Sequence, residues 1–293
     1  MGHIVKLIDG TGIATQIQER VASAIGHLRG RKPGLAFLLV GDQPASRAYI
    51  RMKKRRCAEV GIVSFDHEYN ETVTEAELLG EIARLNNHPE VDGILVQLPL
   101  PPHINTTTIL NAVDPTKDVD GFHPLNIGKS LLGEIDGFLS CTPHGIQVLL
   151  TQSQIPIAGK HVVIVGRSNI VGKPLAAILM QKAPNANATV TVAHSLSENL
   201  PALCRSADIL VAAMGKPRFI KKEMVKEGAV VIDVGINRVK DAKGVDVLVG
   251  DVDFASVAPI CSQITPVPGG VGPMTIAILL SNTLLSYQRK TKS

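Results

Sequence analysis

The chain has 293 residues and a formal net charge of +4, with 45% hydrophobic and 19% charged residues. This balance is ordinary for a globular protein and excludes a disordered chain. Aromatic residues make up only 3% and Trp is absent, which argues against a base-stacking surface for nucleic acid. The sequence lacks a signal-peptide pattern, and no apolar run reaches the roughly 18 residues of a membrane span.

The four cysteines lie far apart in the sequence and form neither a CxxC pair nor a zinc-binding spacing. A disulfide framework is not expected in so long and apolar a chain, which favours a reducing, cytoplasmic location. The nine histidines are scattered, so no metal site is predicted.

In the first half of the chain, apolar runs alternate with helical patterns, which predicts an α/β domain with a parallel sheet. Residues 34–41 and 91–101 are interpreted as buried strands, and residues 46–60 and 74–88 as helices. A stretch rich in Gly and Pro, roughly residues 118–142, is expected to hold the connection to a second domain.

After this connection the alternation of strands and helices resumes. Strands are predicted at residues 160–166, 188–194, 207–215 and 229–235. Four parallel-type strands so close together are typical of a Rossmann-like, dinucleotide-binding sheet. The last apolar segment, residues 274–287, is predicted to be a helix that packs back on the first domain.

Six basic residues crowd the ten positions from Arg47 to Arg56. On a helical wheel, one side of this helix is mainly apolar, while Arg47, Arg51, Lys54 and Arg55 fall on the opposite side. The apolar side carries Tyr49, Met52, Lys53, Arg56, Cys57 and Val60. Most of the run is therefore interpreted as a solvated face, which disfavours a nucleic-acid patch.

Lys53 is the exception, since it lies on the apolar side one turn after Tyr49. Its stem could snorkel, or its ammonium could pair with a buried acid. A third interpretation is a desolvated amine with a lowered pKa, which could transfer protons.

Two polar residues occur where such a lysine would need partners. Gln97 comes at the carboxyl end of a predicted parallel strand, where ligands of such sheets gather, although it could also cap a turn. Asp120 precedes a glycine, and it is either a site residue or part of an ordinary turn. Asp118 is interpreted as loop scaffolding.

The segment IVGRSNIVGKP follows a strand and opens a helix, with Gly166 and Gly172 as small residues. Such a turn lets the backbone approach a pyrophosphate at a helix N-terminus, but a plain strand–helix turn would look alike. The second strand ends at His194 and Ser195 without the acid that would bind an NAD ribose. Together with Arg167 nearby, which could alternatively contact a domain neighbour, this favours NADP.

The string TPVPGGVGPMT, residues 265–275, has three prolines and three glycines and demands a fixed, tight backbone path. We expect this segment to pass close to a ligand before the last helix begins.

Several motifs in one order carry a resemblance that runs nearly end to end, from about Val5 to Tyr287. They are SRAYIRMK, GILVQLPLP, KDVDGFHPLN, CTPHG, GRSNIVGKP, DVGIN, GDVDF and PGGVGPMT. Together they resemble the bifunctional methylenetetrahydrofolate dehydrogenase/methenyltetrahydrofolate cyclohydrolase family.

The resemblance implies two domains, residues 1–140 for folate and 141–273 for NADP, with residues 274–293 on the first domain and the active-site cleft between the two. It implies oxidation of 5,10-methylenetetrahydrofolate with NADP⁺, hydrolysis to 10-formyltetrahydrofolate, a role in one-carbon and purine metabolism, and a homodimer.

The resemblance also implies the site residues. Lys53 would be the catalytic lysine, supported by Gln97, while Tyr49 would position the folate and Asp120 would bind its pterin. The cofactor would contact Gly166, Arg167, Ser168, Ser195 and Ile236, and the substrate would also contact Pro268, Gly269 and Gly270.

One position departs from the family pattern. Relatives often carry a basic residue directly after the His-Ser pair, and here Leu196 stands in that place. Arg167 would then carry most of the contact with the 2′-phosphate, which would weaken the preference for NADP.

Two other functions fit parts of the sequence. Another two-domain NADP-dependent dehydrogenase of a small cyclic substrate would explain the second half but not the string at residues 265–275. A catalytically silent NADP-binding regulator would have no need for Tyr49, Lys53, Gln97 and Asp120 together.

Overall fold

The computed structural model describes residues 5–134, 136–241 and 243–292. Its strands are β1 (Lys6–Leu7), β2 (Gly34–Val40), β3 (Val63–Tyr69), β4 (Gly93–Val96), β5 (His161–Val165), β6 (Thr189–Ala193), β7 (Ile209–Ala212), β8 (Val230–Asp233), β9 (Asn237–Lys240), β10 (Asp246–Val249) and β11 (Gln263–Ile264). Its α-helices are α1 (Gly10–Gly26), α2 (Pro44–Val60), α3 (Glu75–Asn86), α4 (Thr106–Ala112), α5 (Pro124–Leu132), α6 (Cys141–Gln152), α7 (Gly172–Leu179), α8 (Leu200–Arg205), α9 (Phe254–Val257) and α10 (Val271–Lys292).

The chain divides into two compact units. The N-terminal unit is Thr15–Cys141 together with the chain from Ile276 onward. The C-terminal unit is Thr142–Thr275 together with the chain up to Ala14. Among the described residues, no helix is long and apolar enough to cross a bilayer.

The N-terminal unit is built on a parallel sheet with the strand order β3-β2-β4. All seven residues of β2 are buried, as expected for the central strand of a sheet covered on both faces. Helix α3 begins at a capping box, in which the Thr74 hydroxyl accepts from the Glu77 N–H (3.2 Å) and the Glu77 carboxylate accepts from the Thr74 N–H (2.8 Å).

Helix α2 is bounded by signals that are visible in the sequence. Pro44 stands in its first turn, where a missing N–H does no harm, and Gly61 ends it in the left-handed conformation with φ 87°. The helix packs on β2 and β3, so its buried face looks onto the sheet.

The C-terminal unit contains a parallel sheet with the strand order β1-β11-β8-β7-β5-β6. Its core is formed by apolar side chains of the inner strands, such as Val163, Leu210 and Val231, none of which is exposed. The antiparallel pair β9–β10 stands apart from this sheet.

The predicted fold class is confirmed, because both units hold parallel sheets with helices between the strands. The four strands predicted for the second half are β5 to β8, each shorter than its predicted range. The division of the chain differs at its start, since residues up to Ala14 cluster with the C-terminal unit. The reason is β1, which extends the C-terminal sheet by pairing with β11.

An ion pair fixes the edge of the N-terminal sheet at which strands β2 and β4 begin. The Asp92 side chain is fully buried and accepts two hydrogen bonds from the Arg31 guanidinium, both 2.6 Å, and one from the Gly34 N–H at 2.9 Å. The Ser286 hydroxyl of α10 donates to the Asp92 carbonyl at 2.6 Å. The pair therefore ties the starts of β2 and β4 to the last helix.

Replacing this carboxylate is expected to destabilise the protein. Asp92→Ala leaves Arg31 without its buried partner, and we expect a loss of about 3 kcal/mol in unfolding free energy, measured by urea denaturation. Arg55→Ala is the matched control, because Arg55 forms an exposed pair with Glu59 on one helix. Equal denaturation midpoints for the two variants would contradict this role of Asp92.

Candidate active site

The buried face of α2 carries the lysine that the sequence singles out. The residues on this face are Ser46, Ile50, Lys53, Cys57 and Val60. The face is rotated from the predicted one, because Met52 is 50% exposed and Tyr49 is only half-buried. Lys53 itself is 4% exposed, so the interpretation in which its stem snorkels and its ammonium reaches solvent is wrong.

The Lys53 ammonium has two neighbours that hold it in place. Its Nζ donates to Gln97 Oε1 at 3.2 Å and lies 4.5 Å from the centre of the Tyr49 ring. Gln97 directly follows β4, and its Nε2 donates to the Leu98 carbonyl at 2.7 Å. This second bond fixes the amide so that its oxygen faces Lys53.

Burial and charge act on Lys53 in opposite directions. Loss of hydration lowers the pKa of Lys53, and the negative charge of Asp120 opposes that shift. Burial raises the pKa of Asp120, and the charge of Lys53 opposes this in turn. The amine is therefore easier to deprotonate than an ordinary lysine while a nearby carboxyl group favours its charged form.

Asp120 is held by a tight turn. The following residue, Gly121, has φ 75°, and a Cβ there would lie 2.6 Å from the backbone nitrogen of Ser140. The Ser140 hydroxyl donates to the Gly121 carbonyl at 2.6 Å, and the Cys141 N–H donates to the Asp120 carbonyl at 3.1 Å. Asp120 keeps part of its surface exposed and can therefore be reached by a ligand.

Asp118 holds the same loop from within, as predicted. Its carboxylate accepts from the backbone N–H groups of Phe122 (3.1 Å) and His123 (2.8 Å) and from Asn126 Nδ2 (2.8 Å). It is buried, and burial raises its pKa to about 6. These bonds fix the path of the chain directly after Asp120.

Two buried thiols lie next to this cluster, and the sequence analysis placed only Cys57 on the helix face of Lys53. Cys57 is one turn after Lys53 on α2, and Cys141 donates to the Val119 carbonyl at 3.2 Å. Burial raises the pKa of Cys57 to about 12 and that of Cys141 well above its usual range. All four cysteines are buried thiols, and these two act as small apolar neighbours of the amine.

Four of the other five basic residues of this run form ion pairs on the surface. Arg47 contacts Asp42 and Glu68, and Lys54 lies 2.9 Å from Asp66. Arg55 and Arg56 both bind Glu59 of the same helix, Arg56 at 2.5 Å, as expected for a structural pair.

The first predicted cofactor loop lies at the carboxyl end of β5. Gly166 has φ 137°, and a Cβ there would overlap the Ala213 carbonyl, while a Cβ on Gly172 would overlap the Gly166 carbonyl. Side chains are thus excluded where the chain turns into α7. A turn without side chains at the start of a helix is typical of phosphate-binding loops, so the backbone here leaves room for a phosphate.

The side chains of this loop face outward. Arg167, Ser168 and Ser195 are exposed, and Ser168 Oγ accepts from the Val171 N–H at 3.1 Å. Leu196 is 77% exposed and offers no charge to a 2′-phosphate. Ile236 follows β8 and is 57% exposed, so its apolar side chain is available to a ligand.

The Pro- and Gly-rich string is anchored by the start of the chain. Gly269 has φ 105°, and its carbonyl accepts from the Thr11 N–H at 3.0 Å. A Cβ on Gly10 would overlap the Gly270 carbonyl, so the two segments touch through their backbones. Pro268 is exposed next to this contact.

The structure brings together Tyr49, Lys53, Gln97 and Asp120 in the N-terminal unit. The C-terminal unit holds the remaining predicted site residues: Gly166, Arg167, Ser168, Ser195, Ile236, Pro268, Gly269 and Gly270. In the described part of the chain, no group of three or more His, Cys, Asp or Glu side chains is arranged to hold a metal.

Comparison with known families gives one result for both parts of the chain. Residues 8–120 match the catalytic domain of tetrahydrofolate dehydrogenase/cyclohydrolase, and residues 140–291 match its NAD(P)-binding domain. The chain belongs to the tetrahydrofolate dehydrogenase/cyclohydrolase family.

Relatives cover this family member nearly end to end. The bifunctional protein FolD of Protochlamydia amoebophila is 55% identical over 285 residues, 97% of this chain and 98% of the relative. The crystal structure of the bifunctional FolD enzyme of Campylobacter jejuni is 46% identical, with a TM-score of 0.92 over 98% of this chain and 99% of that one. The Trypanosoma brucei FolD structure, complexed with NADP cofactor and an inhibitor, is 38% identical, with a TM-score of 0.93 and 99% of each chain covered.

Proposed function

We propose that this protein oxidises 5,10-methylenetetrahydrofolate to the 5,10-methenyl cation with NADP⁺ and then hydrolyses the cation to 10-formyltetrahydrofolate. The observation that carries the proposal is the buried Lys53 amine, hydrogen-bonded to Gln97 and facing the charge of Asp120. Family membership over both domains supports the pair of activities. It also disfavours a silent NADP-binding regulator, which would not need this cluster.

The dehydrogenase step depends mainly on placement. When bound, NADP⁺ takes up the hydride, and the folate is left as a cation that needs no protein acid or base. Tyr49 would pack against the folate, and the partly exposed Asp120 carboxylate would accept N–H groups of the pterin. Pro268, Gly269 and Gly270 stay predicted substrate contacts.

The cyclohydrolase step needs a proton acceptor. In its neutral form, Lys53 would take a proton from the water whose oxygen bonds to the amidinium carbon. The bond from that carbon to N5 then breaks, N5 receives a proton, and the formyl group remains on N10. One proton is released overall, and Gln97 keeps the amine directed at the reacting water.

In the C-terminal unit, the turn at Gly166 would receive the cofactor phosphates, with Arg167 and Ser168 beside them. Ser195 and Ile236 would contact the same cofactor from the ends of β6 and β8. A cytoplasmic location fits the four buried thiols, and the homodimer stays a prediction from the resemblance.

The role of Lys53 can be tested by removing its amine. Lys53→Met should reduce cyclohydrolase activity by about 10²–10⁴-fold, because a positioned proton-transfer group contributes that much, while dehydrogenase activity persists. The measurement is absorbance: the methenyl product should form from methylenetetrahydrofolate and NADP⁺ and then fail to decay.

Lys54→Met is the matched control for this substitution. Lys54 is the next residue on α2, but its amine pairs with Asp66 and Glu68 on the surface. Both activities should be normal in this variant. Formation of 10-formyl product at the normal rate in Lys53→Met would refute the role of Lys53.

The pH dependence of the hydrolysis follows from the lowered pKa of Lys53. Activity should rise with pH as the amine becomes neutral, with a midpoint below that of an ordinary lysine. Asp120 opposes deprotonation, so Asp120→Asn should move the midpoint to lower pH even though it weakens folate binding. An upward shift of the cyclohydrolase profile in Asp120→Asn would contradict this electrostatic coupling.

The cofactor preference should depend on Arg167. We expect a higher kcat/KM with NADP⁺ than with NAD⁺, and Arg167→Ala should lower the NADP⁺ value by roughly tenfold or more through loss of a charge-assisted contact. The NAD⁺ value should change little in steady-state assays.

Arg205→Ala serves as the control for charge alone. Arg205 lies at the end of α8, just before β7 starts, and so at the opposite edge of the sheet. Equal efficiency of NADP⁺ and NAD⁺ in the wild type would overturn the assignment of NADP.

A further inference from the structure

A fully buried carboxylate links two loops of the C-terminal unit. Asp251 follows β10, and its Oδ2 accepts from the backbone N–H groups of Met214 (2.7 Å) and Gly215 (2.8 Å). Its Oδ1 accepts from Asn237 Nδ2 at 2.9 Å. The side chain therefore joins the segment after β7 to the segment after β8.

A second buried carboxylate holds Asp251 itself. Asp233 ends β8, and its Oδ1 accepts from the backbone N–H groups of Asp251 (2.8 Å) and Gly235 (3.0 Å). Its Oδ2 accepts from the Val252 N–H at 3.0 Å. The end of β8 thus fixes the backbone from which the Asp251 side chain projects.

Two glycines make room for this arrangement. A Cβ on Gly235 would overlap the Asp251 carboxylate, and a Cβ on Gly250 would overlap the Asp233 carboxylate. Both carboxylates are thus packed closely against the backbone of these glycines. Because these buried carboxylates accept backbone N–H groups, they fix the loops that carry those groups rather than merely filling the core.

The linked segments lie at the carboxyl edge of a parallel sheet, where ligands of such sheets bind. The segment after β7 touches the predicted phosphate turn, since a Cβ on Gly166 would overlap the Ala213 carbonyl. The segment after β8 carries Ile236, which is 57% exposed although it is apolar. Asp251 therefore connects the backbone beside the phosphate turn to an apolar side chain that faces outward.

We propose that Asp251 is a positioning residue for the nicotinamide cofactor, which sets the distance between the turn at Gly166 and the side chain of Ile236. This inference rests on the proposed function. Asp251 acts through the two segments that it binds and does not itself touch the cofactor. A residue that only stabilised the fold would affect both activities alike.

The test uses Asp251→Asn, which keeps the size but replaces one acceptor oxygen with a donor. The dissociation constant of NADP⁺, measured by calorimetric titration, and the KM for NADP⁺ should both rise at least about tenfold. Hydrolysis of added methenyltetrahydrofolate without any cofactor should stay within about twofold of the wild type. Unchanged NADP⁺ affinity, or a parallel fall in hydrolysis, would overturn the proposal.

A milder variant covers the case in which Asp251→Asn does not fold. Asn237→Leu removes one donor at a half-buried position and leaves Asp251 with its two backbone donors. It should raise the dissociation constant of NADP⁺ by a smaller factor, again without loss of cofactor-free hydrolysis. Wild-type affinity in Asn237→Leu would also count against the proposal.

Asp118→Asn is the matched comparison, because Asp118 accepts the same set of donors, two backbone N–H groups and one Asn amide, in the other unit. The NADP⁺ affinity of Asp118→Asn should equal that of the wild type. A loss equal to that of Asp251→Asn would mean that breaking any such buried network lowers NADP⁺ affinity, and it would refute the specific role of Asp251.

A wild type without either folate activity would refute the proposed function, whereas an active wild type with an unaffected Asp251→Asn refutes only the positioning role.

Discussion

The burial of one ammonium group sets the constraints on the N-terminal unit. Lys53 is 4% exposed, and an amine that loses its hydration must either find polar partners or lose its proton. Gln97 supplies one amide oxygen and Asp120 an opposing charge, but together they do not offset the lost hydration. The pKa of Lys53 is thereby lowered, which makes the neutral amine more accessible than in an ordinary lysine and suits a proton carrier.

Both units use the same kind of hydrogen-bond network to fix the loops that follow their parallel strands. Loops after parallel strands have no ladder partners, yet a ligand site needs them fixed to a fraction of an ångström. In each unit a buried carboxylate accepts two backbone N–H groups and one Asn amide, Asp118 beside Asp120 and Asp251 beside Ile236. Neither carboxylate has a cationic partner among these bonds, so backbone dipoles hold the charge and the loop at once.

The fold was predictable where apolar patterns are long. The continuous apolar run of β2 and the four inner strands of the C-terminal sheet stand out in the sequence. The edge strand β3 was missed, because its residues VSFDHEY largely alternate in exposure and include four titratable groups. Strands β1 and β11 have only two residues each, too short for any periodicity.

The site was predictable to a similar extent. Lys53 could be singled out because a helical wheel places one cation on an apolar face, but the rotation of that face depended on where the helix meets the sheet. Its proximity to Gln97 and Asp120 depends on strand order, which the sequence alone left open without the resemblance. Bonds from Asp251 to backbone N–H groups have no regular spacing, so the sequence gives no sign of them.

The missed strand also explains why the basic run looked unusual. Asp66 and Glu68 on β3 neutralise Lys54 and Arg47, and β2 and β3 pair in parallel so that these acids lie beside α2. A run of like charges in a sequence therefore does not show whether those charges form an exposed binding patch until the residues of the adjacent strand are known. Lys53 differs from its basic neighbours in kind, because it alone on this helix combines burial, an amide acceptor and a carboxyl group that changes its proton affinity.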